Sequence, residues 1–500
     1  MKDRFAKQSG PIGLLFLIYF SGVFTIIRAN YKYVDDLGRV AGGYKGWDDF
    51  SRYTSYFLSA FIHADNYLTD ISPLPQIIAI LFLSFSGIIV LGSMSLSAKV
   101  SIWQIISIVP LGLSPYFLEC LSYKYDAPYM ALSVLAAVSP IIFADESEIK
   151  FGIASLIGTL LMLTTYQASS GIFPILVVLV MTVKWNHGQN AIMLIRKTLA
   201  GAGGYILGIG IYKLFILKEV DEYVSSSMTT PDIVVKQLIN YYKMVAADFK
   251  TWWLLLSACI LIAYVVVFVF WSPQKKIIAA IVSILSVIFG FLFAFGMYPI
   301  LSRASYYPRA MYGFGAFLGL FAAAGVSIVS EEKNNVENCV KSSTKVQSIF
   351  EKMCKFGICA LCTILSYTFL VFAFSYGNCL NEQARYTDVR VQSVINDIKD
   401  LDMMLDDEDV LIQLSGSIGK SPIIRNIPQS DYSILDRLVP ETFAEDWKWS
   451  TFYFYNYFDL KNVIQDRNTD LHESNLPIIK DTIYHTIYGA DHKLLIELKE

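Results

Sequence analysis

Apolar runs long enough to cross a bilayer recur along most of this chain, beginning with PIGLLFLIYFSGVFTII at 11–27. A membrane helix needs about 20 mostly apolar residues, because its backbone polar groups must be satisfied within the segment. Charged residues make up only 17% of the chain, against about 25% in ordinary soluble domains. The pattern predicts an all-α polytopic membrane domain over 1–375 with about eleven transmembrane helices. Their expected limits are 11–28, 76–94, 102–118, 127–144, 151–165, 170–184, 198–217, 252–271, 277–296, 309–329 and 356–375. Lys2, Arg4 and Lys7 precede the first run and no small-residue cleavage site follows it, so it reads as a retained span.

Lysine and arginine density orients the spans. With the N-terminus inside, the inner segments carry Arg196, Lys197, Lys275, Lys276 and the run from Lys333 to Lys355. The outer loops are longer and hold most of the loop aspartates. An odd number of spans then places 376–500 outside. That segment has no run long enough to span. DVLIQLSG and KLLIELK read as strands, and ARYTDVRVQSVINDIKDL places Val389, Val391, Val394, Ile395, Ile398 and Leu401 at helical spacing. It is expected to form a small soluble α/β domain.

The seven cysteines are odd in number and lie mostly in or beside apolar runs, which excludes a disulfide framework. Cys359 and Cys362 read as small core residues of a span rather than a redox pair. A net charge of −3 gives no reason to expect nucleic acid. There is no Walker A motif, no dinucleotide-binding fingerprint and no His/Cys cluster at metal spacing, and GGYKG at 42–46 does not match a P-loop. Adjacent acids suit a divalent cation such as Mg²⁺ or Mn²⁺, but nothing in the sequence requires one.

Unusual polar clusters gather on the outer side. The loop 29–75 carries Asp35, Asp36, Arg39, Trp47, Asp48, Asp49 and Arg52; the next outer loop has Glu119, Tyr123, Lys124 and Asp126; a third has Tyr166 and Gln167; a later one has Arg303, Tyr306, Tyr307 and Arg309. Within the first loop, SRYTSYFLSAFIHADNYL sets Tyr53, Tyr56, Phe57, Ala60 and Phe61 on one stripe, which predicts an amphipathic helix in the membrane interface or a surface helix on the soluble domain. His63 reads as a packing residue. Asp35 and Asp36 suit a general base, since burial and a like charge both raise a carboxylate's pKa; a solvated turn or helix cap is the plain alternative. Glu119 and Asp126 suit hydrogen bonds to sugar hydroxyls or structural pairs. Arg303 and Arg309 suit a phosphate, through the guanidinium fork, or snorkelling to headgroups.

The succession YVDDLGRVAGGYKGW, LECLSYKYDAPYMALSVL, TTYQASSGIF and PRAMYGFGAF resembles the type II Gtr family, the serotype-converting O-antigen glucosyltransferases, which are similar to GT-C glycosyltransferases. The resemblance covers roughly 10–380. It implies a GT-C-like fold and transfer of glucose from a polyprenyl-phosphate-glucose donor to lipid-linked O-antigen on the periplasmic side, with inversion. It also implies dependence on a donor synthase and a flippase, and no required cofactor. Carried over by position, Asp35 and Asp36 become the catalytic candidates. Arg39, Trp47, Arg52, Glu119, Tyr123, Lys124, Asp126, Tyr166, Gln167, Arg303, Tyr307 and Arg309 become the substrate-binding candidates. The chain departs from the family where Tyr123-Lys124-Tyr125-Asp126 replaces a Tyr-Arg-Phe-Asp type sequence, and where Cys120 stands for an asparagine. Lysine lacks the bidentate fork, which weakens a phosphate role at 124. A lipid-carrier flippase or sugar transporter, and a transferase acting on lipid A or protein, are the competing expectations.

Overall fold

The computed structural model describes all residues except 1–7, 96–98, 219–226, 331–344, 406–407, 429–431, 446, 461–462, 465–470 and 474. The basic residues expected inside at 2–7, and most of the run from Lys333, lie outside the described residues.

Among the described residues eight helices are long and apolar enough to cross a membrane. They are α1 (Ser9–Ala29), α4 (Leu74–Met94), α9 (Gln167–Asn186), α10 (Ala191–Ile216), α12 (Thr251–Trp271), α13 (Lys276–Phe293), α14 (Pro308–Ser330) and α15, of which Ile349–Ile398 meets the criterion. Between them lie α2 (Asp36–Gly42), α3 (Tyr53–His63), α5 (Ile102–Leu113), α6 (Pro115–Ser122), α7 (Ala127–Phe143), α8 (Glu148–Leu163) and α11 (Pro231–Asp248). The expected eleven full spans are thus corrected to eight, or nine with the bent pair α5–α6 taken as one. The third expected span bends by 60° between Leu113 and Pro115. Ser114 there is extended (φ −60°, ψ 145°), as a residue before proline prefers, so the helical ladder stops. The fourth tightens into a 3-10 turn from Ser139, beside Pro140. The fifth, α8, has 16 residues, about 24 Å of rise, short of the roughly 30 Å hydrocarbon core.

The two ends of the helical layer differ. At one end the loops tie to each other: Thr54 N–H donates to Thr164 O at 3.0 Å, Lys218 N–H to Ser51 Oγ at 2.8 Å, and Thr229 N–H to Ile300 O at 2.9 Å. At the other end Lys197 Nζ donates to the Glu146 carbonyl at 3.0 Å, and Lys184 pairs with Asp145. All segments expected outside therefore share one end. Helix α14 runs through the middle with nearly every residue buried. Its glycines permit close approach, since a Cβ on Gly315 would stand 2.1 Å from Ser114 Oγ.

Helix α15 (Lys345–Ile398, 54 residues) passes unbroken through residue 376, where the soluble domain was expected to begin. Its last turns pack Val391, Val394, Ile395 and Ile398 into a second core with the sheet, whereas Val389 is exposed. The sheet has strands β1 (Val410–Ser415), β2 (Val463–Ile464), β3 (Ile478–Asp481), β4 (His485–Ala490) and β5 (Lys493–Leu498), in the order β2-β1-β5-β4-β3. β1 is parallel to β2 and β5, and Leu411 faces Lys493; the β3–β4 and β4–β5 pairs are antiparallel. Both segments expected as strands are β1 and β5. Ile424, Ile434, Leu435, Leu438 and Val439 belong instead to the hydrophobic core of the helices, so these residues of the C-terminal segment form a plug against the helical layer. The plug is held by polar bonds. Arg437 pairs with Asp248, whose carboxylate also accepts from Tyr116 OH at 2.7 Å, and Tyr33 OH donates to Leu438 O at 2.8 Å.

The amphipathic α3 packs inward through Ser55, Ser59 and His63. Phe57 and Phe61 point out, 69% and 82% exposed. His63 stacks on Tyr125 with ring centroids 5.8 Å apart and binds the Ser59 carbonyl through Nδ1, a packing role. Cys359 and Cys362 lie buried and unbridged inside α15.

Candidate active site

Helix α1 ends at Asn30 in the left-handed region, and the chain turns sharply before α2. Val34 has φ 48°, a strained conformation for a β-branched residue. The turn is held from both sides. Tyr33 N–H and Lys124 N–H each donate to Asp36 Oδ2 at 3.0 Å, and Asp36 N–H donates to Tyr33 O at 2.9 Å. Asp36 is fully buried and its Oδ1 has no hydrogen-bond partner among the described residues. Burial pushes its carboxyl up to about 8, opposed by the Lys124 N–H and by Arg39. Next to it, Leu37 enters the core of the C-terminal domain, and Asn456 Nδ2 donates to Leu37 O at 3.3 Å. Helix α2 is therefore gripped between the membrane layer and the C-terminal domain.

Asp35 stands apart from its neighbour. It is half-buried, and among the described residues no hydrogen bond or ion pair engages its carboxylate. It lies within electrostatic reach of Arg39, Tyr44 and Tyr123.

Three further groups complete the site. Arg39 pairs with Asp126, the Trp47 indole N–H donates to the other Asp126 oxygen at 2.5 Å, and the Arg39 guanidinium lies 4.4 Å from the Trp47 ring centre. This knot fastens the first loop to the turn before α7. Lys124 Nζ donates to Asp70 at 2.8 Å and to Asn30 at 2.5 Å and is almost wholly buried. The Lys124 ammonium is thus bound to the wall of the first loop. Asp70, two residues before Ser72-Pro73, was not legible as part of the site, because its partner is distant in sequence.

Glu119 receives both the backbone N–H and the guanidinium of Arg309, the latter at 3.0 Å. Arg309 also stacks over Tyr307 at 4.5 Å, and Tyr307 is half exposed. Tyr123 sits at the junction: its hydroxyl is buried without a partner among the described residues, and it feels the charges of Arg309, Glu119 and Asp35.

Beyond this junction opens a cavity of about 110 Å³, continuous with solvent. Arg52, Gln167, Arg303 and Arg309 are among its polar lining residues. Its apolar lining includes Leu163, Ile209 and Leu217, near the ends of α8 and α10, and Met297 and Leu301 from the loop before α14. Tyr166 lines it as well, with Arg52 stacked on its ring at 4.6 Å, and Arg52 Nε donates to Gln167 at 3.2 Å. Tyr212, Lys213 and Tyr298, which the sequence did not single out, share the wall. Asp48 and Asp49 lie on a short 3-10 turn, Asp48–Phe50, outside this wall. Among the described residues no three His, Cys, Asp or Glu side chains converge on one point.

These features define a multi-pass membrane protein with one charged, aromatic-lined site built from loops at one end of its helices. A cavity lined by cationic, aromatic and apolar residues lies at the same end as the unpartnered Asp35. The chain belongs to the glucosyl transferase GtrII family, whose profile matches residues 24–320. It is also similar to an uncharacterized 55.3 kDa protein in the gtrB 5′ region of Salmonella phage P22, with 24% identity over 472 residues, 87% of this chain and 88% of that protein. No solved structure matches it.

Proposed function

We propose that this glucosyltransferase takes glucose from a polyprenyl-phosphate-glucose donor and adds it to lipid-linked O-antigen at the periplasmic face of the inner membrane. The observation that carries the reading is that Tyr123 feels both the unpartnered Asp35 and Arg309, and that Arg309 lies 5.7 Å from its ring centre and lines the cavity. A prenyl phosphate has an apolar chain and an anionic head, and the cavity lining contains both apolar and cationic residues. Arg52 and Arg303 face the phosphate, with Arg309 held by Glu119.

In this reading Asp35 accepts the proton of the acceptor hydroxyl as its oxygen attacks C1 of the glucose. The bond between C1 and the phosphate oxygen breaks, and the phosphate leaves with the electron pair. Its growing negative charge is stabilised by the arginines. A single displacement inverts C1. Asp36 is a positioning residue, since its oxygens are sealed from any substrate. The reading also makes the protein dependent on enzymes that make the donor and carry it across the membrane.

The test is reconstitution of the purified chain with labelled polyprenyl-phosphate-glucose and lipid-linked O-antigen. Labelled O-antigen supports the proposal. Label on lipid A or protein moves the acceptor, and label crossing vesicles without transfer replaces the enzyme with a flippase.

A further inference from the structure

The stretch GGYKG at 42–46 belongs to neither the cavity nor the polar knots. Its glycines instead carry aromatic rings. Gly43 adopts φ 57°, and a Cβ there would stand 2.3 Å from the Tyr67 ring. A Cβ on Gly46 would stand 3.1 Å from the Tyr44 ring. One turn after Asp35, a Cβ on Gly38 would stand 2.7 Å from the ring of Trp449, which comes from the C-terminal domain. Tyr44 and Trp449 lie 5.9 Å apart, tilted by 35°. Tyr67 is half exposed, and Tyr44 and Trp449 are partly exposed. Hydrogen-bonding groups border the rings: Lys45 Nζ donates to Asn66 at 2.8 Å, beside Tyr67, and Lys448 lies 4.4 Å from the Trp449 ring centre.

Rings laid on bare backbone are rigid, and each presents an apolar face with a polar rim. A pyranose has the complementary form, a face of C–H bonds edged by hydroxyls. Tyr44 adjoins Trp449 and lies within electrostatic reach of Asp35, and Tyr67 lies on Gly43, the residue before Tyr44; rings so clustered suit a chain of sugars better than one sugar. We propose that Trp449, Tyr44 and Tyr67 form a carbohydrate platform that holds the saccharide chain of the acceptor beside Asp35. This rests on the glucosyltransferase reading above. It gives the C-terminal domain a share in acceptor binding, through Trp449.

The experiment is calorimetric titration of the full detergent-purified chain with O-polysaccharide fragments of one and three repeat units, released from the host's lipopolysaccharide by mild acid. Transfer to the same fragments is measured in parallel. The three-unit fragment is expected to bind at least about fivefold tighter than the one-unit fragment. Tyr67→Ala and Trp449→Ala should each weaken it about fivefold, and Tyr67→Phe should restore the affinity. Tyr67 is the safer probe because it is half exposed, and its variant is compared at matched melting temperature. If Tyr67→Ala and Trp449→Ala keep unaltered affinity for both fragments while the unmodified chain still glucosylates them, the platform alone is refuted. If the unmodified chain neither binds nor glucosylates either fragment, the platform falls together with the functional reading.

Discussion

Replacing Asp35 and Asp36 separately by asparagine should split two functions that adjacent identical residues conceal. Asp36 accepts two backbone N–H bonds at Oδ2, is fully buried, and is pushed up to about 8 by that burial. At pH 7 it is therefore mostly a neutral acid in the folded chain. An asparagine carbonyl can take over both N–H bonds at the same place. The remaining difference is an amide NH₂ where Oδ1 already lacks a partner, a cost of about 1–3 kcal/mol for a buried unsatisfied group. Asp36→Asn should thus fold and retain transfer within about tenfold. Asp36→Ala is harsher. It strands two N–H groups, about 2–6 kcal/mol in all, at a turn already strained at Val34. Asp35→Asn leaves every described contact in place yet removes the acceptor of the proton, and general-base catalysis contributes about 10²–10⁴ in rate. The assay is single-turnover transfer of labelled glucose at pH 7, with both variants matched for expression and melting temperature. A loss of about 100-fold or more in Asp35→Asn, with near-normal donor affinity, is expected. The reasoning is refuted if Asp36→Asn loses that much while Asp35→Asn keeps normal turnover.

Asp36 also makes stability depend on pH. Its folded pKa is raised, so the native state binds more protons than the unfolded chain between about pH 4 and 8. Its contribution is present below the unfolded value and declines as pH rises through that window; melting curves of Asp36→Asn should have a shallower fall over the same range. Arg437→Leu leaves Asp248 buried beside Tyr116, a loss of about 3 kcal/mol, read as a lower apparent melting temperature in detergent. The same variant should expose the segment around Leu435–Leu438 to limited proteolysis. Arg303→Ala, in the cavity lining, should raise KM for the lipid-phosphate donor by about tenfold, equivalent to one charge-assisted hydrogen bond, measured by initial rates at fixed acceptor.

Much of the helical layer was legible because membrane spans are a local property. A run such as LPQIIAILFLSFSGIIVLGSM announces its helix and its burial together. The third span misled for a local reason as well: hydropathy does not register that Ser114 before Pro115 must leave the helical region. The stripe of α3 was legible as amphipathic, but which face turned inward was not. Its small serines pack against 164–165 and its phenylalanines point out, the reverse of a helix on a soluble core.

By itself the sequence determined that the chain crosses a membrane many times, that its polar chemistry collects at the loops of one end, and that Asp35 and Asp36 stand there. Those conclusions follow from local composition and the thickness of a bilayer. Only the tertiary structure buried Asp36 and left Asp35 half-buried, paired Lys124 with Asp70, held Arg309 with Glu119, and packed Ile424, Ile434, Leu435, Leu438 and Val439 against the helices. Desolvation and ion pairing depend on what surrounds a group, and here the partners are separated by 54 residues for Lys124 and Asp70, and by 190 for Glu119 and Arg309. No local pattern carries that information, so adjacent aspartates of identical chemistry become one sealed acid and one free carboxylate only when the chain has folded around them.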